Sequence, residues 1–507
     1  MKTIPDDESR ELPTTESHRA DTARRWMGVG LISVAAASTL GWLYLAASHL
    51  HDRYGALHVQ GAWMALARYA NEGVLYPPLY DGQRYGGTRW MPLPIIVNAS
   101  ASKLTGEYLT SGKFVGLVTT AVLLGLVFMV LRRSSCSYPV AAALTGTIVA
   151  TKPGLFAGTS IGGDVLPAVL QLAALLVFTT KRRWSLVASG GLCALALAGK
   201  TTGVWATLAV VTWLILHRRW RDVSIFVATF IGVAASLFIV VDAVTEGRFV
   251  DNLALLTFAG VGGGVGPIRA PNQFIYQTYT YAAAVWLLLP FAVLSGFKEG
   301  WRGIGPYQLA LVFAIIIATA TFTDVGAGFN QLLDVTVMTV IVVGQFAGRL
   351  RRPETSPVPL ELALALAIIW GAGTGVVLTQ VPDIRATLEH QQLGYPVKPL
   401  MGLPQTGDEI LSEDPYVPLS MGQDPVVLDP FMLLRLDRLD PRAVDPLIQR
   451  IEEGRFAYLV MINSLSPRND YWWEQFHFGP RVVAAMRQAY VLQERIDGYF
   501  VYRPGAS

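Results

Sequence analysis

Residues 26–54 read WMGVGLISVAAASTLGWLYLAASHLHDRY, an apolar run that ends in His51-Asp52-Arg53-Tyr54. A helix of about twenty apolar residues crosses the hydrocarbon core of a bilayer. The stretch 26–48 is therefore predicted to be a membrane span, with Asp52 standing where it meets water. Polar and aromatic residues follow, in Glu72-Gly73-Val74-Leu75-Tyr76-Pro77-Pro78 and Tyr85-Gly86-Gly87-Thr88-Arg89-Trp90. A carboxylate at a bilayer face, followed by aromatics and arginines, can collect both a charged headgroup and a sugar. That arrangement suits an enzyme at a membrane face better than a simple pore.

The same pattern extends along the chain. Of 507 residues, 52% are hydrophobic and only 15% charged, and the mean hydropathy is +0.40, too apolar for an ordinary soluble protein. The net charge of +3 gives no argument for nucleic acid. Further apolar blocks cover approximately 112–131, 137–154, 164–180, 185–199, 202–217, 223–243, 277–297, 305–323, 331–348 and 359–379. Basic clusters punctuate them: Arg24-Arg25, Arg132-Arg133, Lys181-Arg182-Arg183, Arg218-Arg219, Lys298 with Arg302, and Arg349 with Arg351-Arg352. Lys and Arg beside span ends favour the cytoplasmic side. Placing every cluster there gives a polytopic α-helical protein of the cell membrane with about eleven spans, a cytoplasmic N-terminus and an extracytoplasmic tail.

Residues 1–25 read as a disordered cytoplasmic lead, and 26–379 as the membrane domain, including an outer loop over 49–111. Within that loop, 56–70 has the apolar spacing of an amphipathic helix lying in the interface, and a second helix is predicted over about 91–104. The run Gly260-Val261-Gly262-Gly263-Gly264-Val265-Gly266-Pro267 lacks the context of a nucleotide loop and reads as a flexible gate. After 380 the composition turns polar. Short runs at 410–412, 426–428, 457–461 and 499–502 read as strands, and 441–453 and 480–487 as helices, making 380–507 a small extracytoplasmic α/β domain. Cys136 and Cys193 suggest neither a disulfide nor a metal cluster.

An ionisable residue at a span boundary is a functional candidate by default, because the bilayer interior penalises charge. On the outer side these are Asp52, Asp164, Lys200, Asp324 and Asp334, with Arg84, Arg89 and Arg269 in the loops. Transfer of a sugar from a lipid phosphate needs a base for the acceptor hydroxyl and positive charge for the departing phosphate. Asp52 suits the base, and Lys200 and Arg89 the phosphate. Asp164 could orient the lysine, bind sugar hydroxyls or share a divalent cation, Mg²⁺ or Mn²⁺, with substrate phosphate. Tyr85, with Tyr54 and Trp90, could stack on sugar, and Asn330 could contact the donor. Each has a plainer reading: Asp164 as a helix N-cap, Lys200 as a helix C-terminal cation, the aromatics as an interfacial belt, Asn330 as a cap.

Through Asp52, the helix before Glu72-Gly73-Val74-Leu75-Tyr76, the entry Arg89-Trp90-Met91-Pro92-Leu93-Pro94, Gly163-Asp164 and Gly199-Lys200-Thr201, the chain resembles the GT-C polytopic glycosyltransferases. That family includes the protein O-mannosyltransferases and the lipid A aminoarabinose transferases. The resemblance covers roughly 26–350. It implies inverting transfer from a polyprenyl-phosphate sugar to a lipid, glycan or protein acceptor outside the cytoplasm, with Asp52 as general base. Where relatives often carry adjacent acidic residues, this chain has Asp52-Arg53. The alternative is a lipid or glycan transporter or flippase, which would trace charges across the membrane and often shows an internal repeat; the halves show none.

Overall fold

In the computed structural model, the described residues are 15–505 except 57, 181, 257–265, 267, 298–303, 325, 351–357, 392, 395–399, 401–408 and 497. The glycine run expected to act as a gate lies, but for Gly266, outside them. Every apolar block forms helix. The membrane domain comprises α1 (Thr15–Ser48), α2 (His58–Asn71), α3 (Pro92–Thr105), α4 (Tyr108–Arg133), α5 (Tyr138–Ala150), α6 (Lys152–Thr159), α7 (Val165–Phe178), α8 (Ser185–Gly199) and α9 (Trp205–Leu216). It continues with α10 (Trp220–Val244), α11 (Arg248–Leu256), α12 (Ala270–Tyr281), α13 (Ala284–Phe297), α14 (Pro306–Thr321), α15 (Leu333–Leu350), α16 (Val358–Gly375) and α17 (Val381–Leu388). Among the described residues, five helices are long and apolar enough to cross a membrane, or up to seven with two bent pairs; four shorter apolar helices stand beside them. These meet the expected spans segment by segment.

The differences lie at the breaks and ends. The block 137–154 is not one straight rod, because α5 and α6 meet at 76°. Thr151 is extended there and its hydroxyl accepts from the Gly154 N–H, capping α6, while Pro153 has no N–H to continue the α5 ladder. The block 277–297 likewise follows a 113° turn between α12 and α13. The helix of the first span begins at Thr15, so residues 15–25 are helical where a disordered lead was expected. The last apolar helix runs through a π turn into α17, past residue 380. Helix α2, expected to be amphipathic, is covered on more than one face. Most of its residues, Gln60 and Gly61 among them, are buried, because α3 covers one side and the tail domain the other.

The tail carries α18 (Tyr416–Ser420), α19 (Pro430–Leu439), α20 (Asp445–Glu452), α21 (Asp470–Gln475) and α22 (Pro480–Ala489). Its strands are β1 (Ile410–Ser412), β2 (Tyr458–Met461), β3 (Tyr490–Ile496) and β4 (Tyr499–Pro504), in the order β1-β2-β4-β3. Strand β1 runs parallel to β2, and the other pairs are antiparallel. The expected strand at 426–428 does not join this sheet. It pairs with the outer loop: the Tyr85 N–H donates to Val426 O and the Leu428 N–H to Tyr85 O, each at 2.8 Å.

Candidate active site

Helix α6 joins two parts of the site. The turn holding Asp52 packs on its end: a Cβ on Gly55, whose φ of +70° favours glycine, would stand 3.1 Å from Thr159 O. One turn earlier, Phe156 packs on Phe329 with ring centroids 5.3 Å apart, in the 3₁₀ turn Phe329–Leu332 that carries Asn330 and Gln331. The Asp52 turn and the Asn330 turn thus both pack on one short helix, α6.

Asp52 is half exposed and held by its own turn. The Tyr54 N–H donates to Oδ1 at 2.8 Å, His49 Nδ1 lies 2.5 Å from Oδ2, and Lys113 Nζ is 3.6 Å from Oδ1. Partial burial alone would push this carboxyl up, but the His49 and Tyr54 hydrogen bonds and the Lys113 charge hold it below the usual carboxylate range. His49 is in turn fixed through Nε2 by Thr387 of α17 at 2.8 Å. Lys113 is buried and donates to His49 O at 2.6 Å. Neither residue was singled out from sequence, although a lysine inside the first turns of an apolar helix is the signal that flags intramembrane charge.

Asp164, Lys200 and Asn330 come together although they lie far apart in the chain. Lys200, in the turn after α8, donates to Asp164 Oδ1 at 2.6 Å and Gln331 Oε1 at 2.8 Å. The Asn330 amide donates to Asp164 Oδ2 at 2.9 Å. Asp164 stands at the start of α7 but its side chain caps no N–H there; both oxygens face the lysine and the amide. The turn is close-packed, since a Cβ on Gly163 would meet the Trp63 ring at 2.9 Å.

Trp63 stacks on Trp90 with centroids 4.5 Å apart and planes at 12°, which places Arg89 on the same rim. Arg89 pairs with Asp324 at 2.5 Å. Burial opposes ionisation of Asp324, yet the Arg89 charge and hydrogen bond hold its carboxyl low. Arg89 also lies over the Phe431 ring of α19 at 5.0 Å. The tail domain therefore reaches this part of the rim.

Arg84 and Tyr85 make other contacts than those expected of substrate-binding residues. Arg84 pairs with Asp424 at 2.5 Å. The Tyr85 ring is buried, donates its hydroxyl to Ala443 O at 2.9 Å, stacks on Tyr80 and belongs to the tail-domain core. Both residues anchor the outer loop to the tail, and Tyr85 has no free face for a sugar. Among the described residues, no group of three or more His, Cys, Asp or Glu could hold a metal ion. Both Asp164 oxygens are engaged, by Lys200 and by Asn330.

Over nearly its whole length the chain is similar to ArnT from Cupriavidus metallidurans, solved with undecaprenyl phosphate bound. The two share 13% identity and a TM-score of 0.56, with 94% of this chain and 98% of that one covered. It is also similar to the oligosaccharyltransferase of Archaeoglobus fulgidus in its apo form, at 10% identity and TM-score 0.54, covering 95% and 74% of the two chains. AglB of that organism, in complex with an inhibitory peptide and a dolichol-phosphate, matches at 11% identity and TM-score 0.54 over the same shares. These are glycosyltransferases of the GT-C fold, and this chain has that fold. No protein-family model and no curated protein matches the sequence.

Proposed function

We propose that the protein transfers a sugar from a polyprenyl-phosphate donor to a hydroxyl-bearing lipid, glycan or protein acceptor on the extracytoplasmic side of the membrane. The single observation that supports this reading is the Asp164–Lys200–Asn330 cluster, with the Asp52 turn packed on α6 and the loop of Arg89 reached through the Trp63–Trp90 stack. The GT-C fold supports it, since both relatives solved with a lipid phosphate carry it.

In this reading, Asp52 accepts the proton of the acceptor hydroxyl as its oxygen attacks the anomeric carbon. The bond from that carbon to the phosphate oxygen breaks on the opposite face, so the configuration inverts and polyprenyl phosphate leaves. A carboxyl held below its usual range is ionised at neutral pH, the protonation state a base requires, although the same shift lowers its basicity. Lys200 supplies a point charge and Arg89 a planar fork to the leaving phosphate. Asp164, itself held by Asn330, and Gln331 orient Lys200. Purified protein given a panel of radiolabelled polyprenyl-phosphate sugars and membrane acceptors tests the assignment. Wild type transfers label, and Asp52→Asn loses at least about a hundredfold in rate; equal rates reject Asp52 as the base.

A further inference from the structure

Arg435, on α19, has 1% of its surface exposed, and among the described residues nothing accepts a hydrogen bond from its Nε or Nη2. Its guanidinium lies over the Phe431 ring at 4.6 Å, the ring that also carries Arg89 at 5.0 Å. The neighbouring charges are mostly of its own sign: Arg438 and Arg89 repel it, and Asp324 attracts it. Asp324 is already bonded to Arg89. Asp429, also close to Arg89, spends its Oδ1 on capping the first N–H groups of α19.

A buried guanidinium normally sits in a carboxylate fork or a ring of carbonyls, because leaving its donors unmade costs more than most folds tolerate. A ligand oxyanion satisfies the same donors, and a second arginine on the same aromatic platform raises its affinity. We propose that Arg435 and Arg89 form an oxyanion subsite to which the tail domain contributes the buried half, and that it takes a phosphate-type group of the substrate. The inference rests on the reading of this rim as the substrate-facing one. The oxyanion has two sources, the phosphate of the polyprenyl donor or an anionic group on the acceptor.

The test uses the full-length protein in detergent, titrated with inorganic phosphate and, separately, with undecaprenyl phosphate, with thermal melting recorded alongside. Arg435→Met keeps the length and packing of the side chain and removes the unmet donors. It is expected to melt at or above the wild-type temperature without ligand, yet to bind inorganic phosphate at least about tenfold more weakly. If it weakens undecaprenyl phosphate equally, the subsite holds the donor phosphate. If undecaprenyl phosphate affinity is unchanged and the wild type still binds inorganic phosphate with the lipid saturating, the subsite serves the acceptor. An unchanged phosphate affinity in Arg435→Met overturns the subsite, as does a large drop in its ligand-free melting temperature, which marks a structural arginine. A wild type that binds neither probe overturns it too. Should Arg435→Met fail to fold, Arg435→Lys decides: it keeps the charge but loses the fork, so its phosphate affinity must fall, and equality with wild type counts against the proposal. Absence of sugar transfer would strike the transferase reading and leave the inorganic phosphate result standing.

Discussion

At the scale of the residue, Asp52 illustrates how a carboxylate is kept charged beside a membrane. Its turn supplies a backbone N–H, a histidine and a nearby ammonium, and together these outweigh the cost of partial burial. Because the folded pKa is depressed, the carboxylate remains ionised as pH falls below the usual range near 4. The stabilisation it contributes is present above the unfolded pKa and lost as pH falls through the folded one. The acid limb of the rate profile should therefore lie below about pH 4 in wild type. His49→Gln removes the histidine contribution and should move that limb to higher pH, with the rate at neutral pH less affected. A pH profile of kcat/KM checks this, and an unmoved limb means that His49 does not tune Asp52. Asp52 was legible in the sequence because it ends an apolar run. His49 was not: one turn earlier in the chain, it joins the site only when α17 folds back to place Thr387 against it.

The elements were legible where one property decided them. Long apolar blocks announce helices, and each block is helical, although 137–154 and 277–297 are each divided between two helices. What pattern alone leaves open is which faces are covered. Helix α2 has the apolar spacing of an interfacial helix, but Gln60 and Gly61, on its other side, are buried as well. The bend at Thr151-Lys152-Pro153 was hidden because the residues on both sides are apolar. Strand β3 was missed because its residues are largely exposed and include Glu494 and Arg495, so no alternation marks it. The covered face of α2 makes a prediction at this scale. A Cβ on Gly61 would stand 2.6 Å from both Asp414 Oδ1 and the Tyr416 N, and the second is main chain that cannot swing aside. Gly61→Ala gains up to about 1 kcal/mol of helix propensity but forces α2 off the tail, at a cost of about 1–3 kcal/mol. The balance should be a lower melting temperature. An unchanged or raised one would show that the α2 contact with the tail is loose.

For the whole molecule, the question is what ties the tail domain to the membrane domain. Arg53, the residue after the proposed base, pairs with Asp414 at 2.5 Å, and their side chains are 6% and 1% exposed. Tyr499 of β4 donates its hydroxyl to the same carboxylate at 2.7 Å and accepts from Arg53, while the Arg53 guanidinium also lies over the Tyr416 ring. Seen in sequence, Arg53 is a departure from an adjacent acidic pair. In three dimensions it is the point where the first outer loop enters the tail, so the position of Asp52 depends on that docking. Removing one member of a buried pair strands the other charge and costs about 3–5 kcal/mol, whereas replacing both with apolar residues avoids most of that cost. Arg53→Met should thus lower the melting temperature sharply and expose the tail to limited trypsin digestion. Arg53→Met with Asp414→Leu should recover much of the melting temperature and protease resistance. Because the double variant restores the tail without the guanidinium beside Asp52, its transfer rate separates two roles. Recovery of both stability and rate makes Arg53 an anchor alone, and recovery of stability without rate means that it also positions the base. If Arg53→Met melts like wild type, the pair does not hold the tail in place.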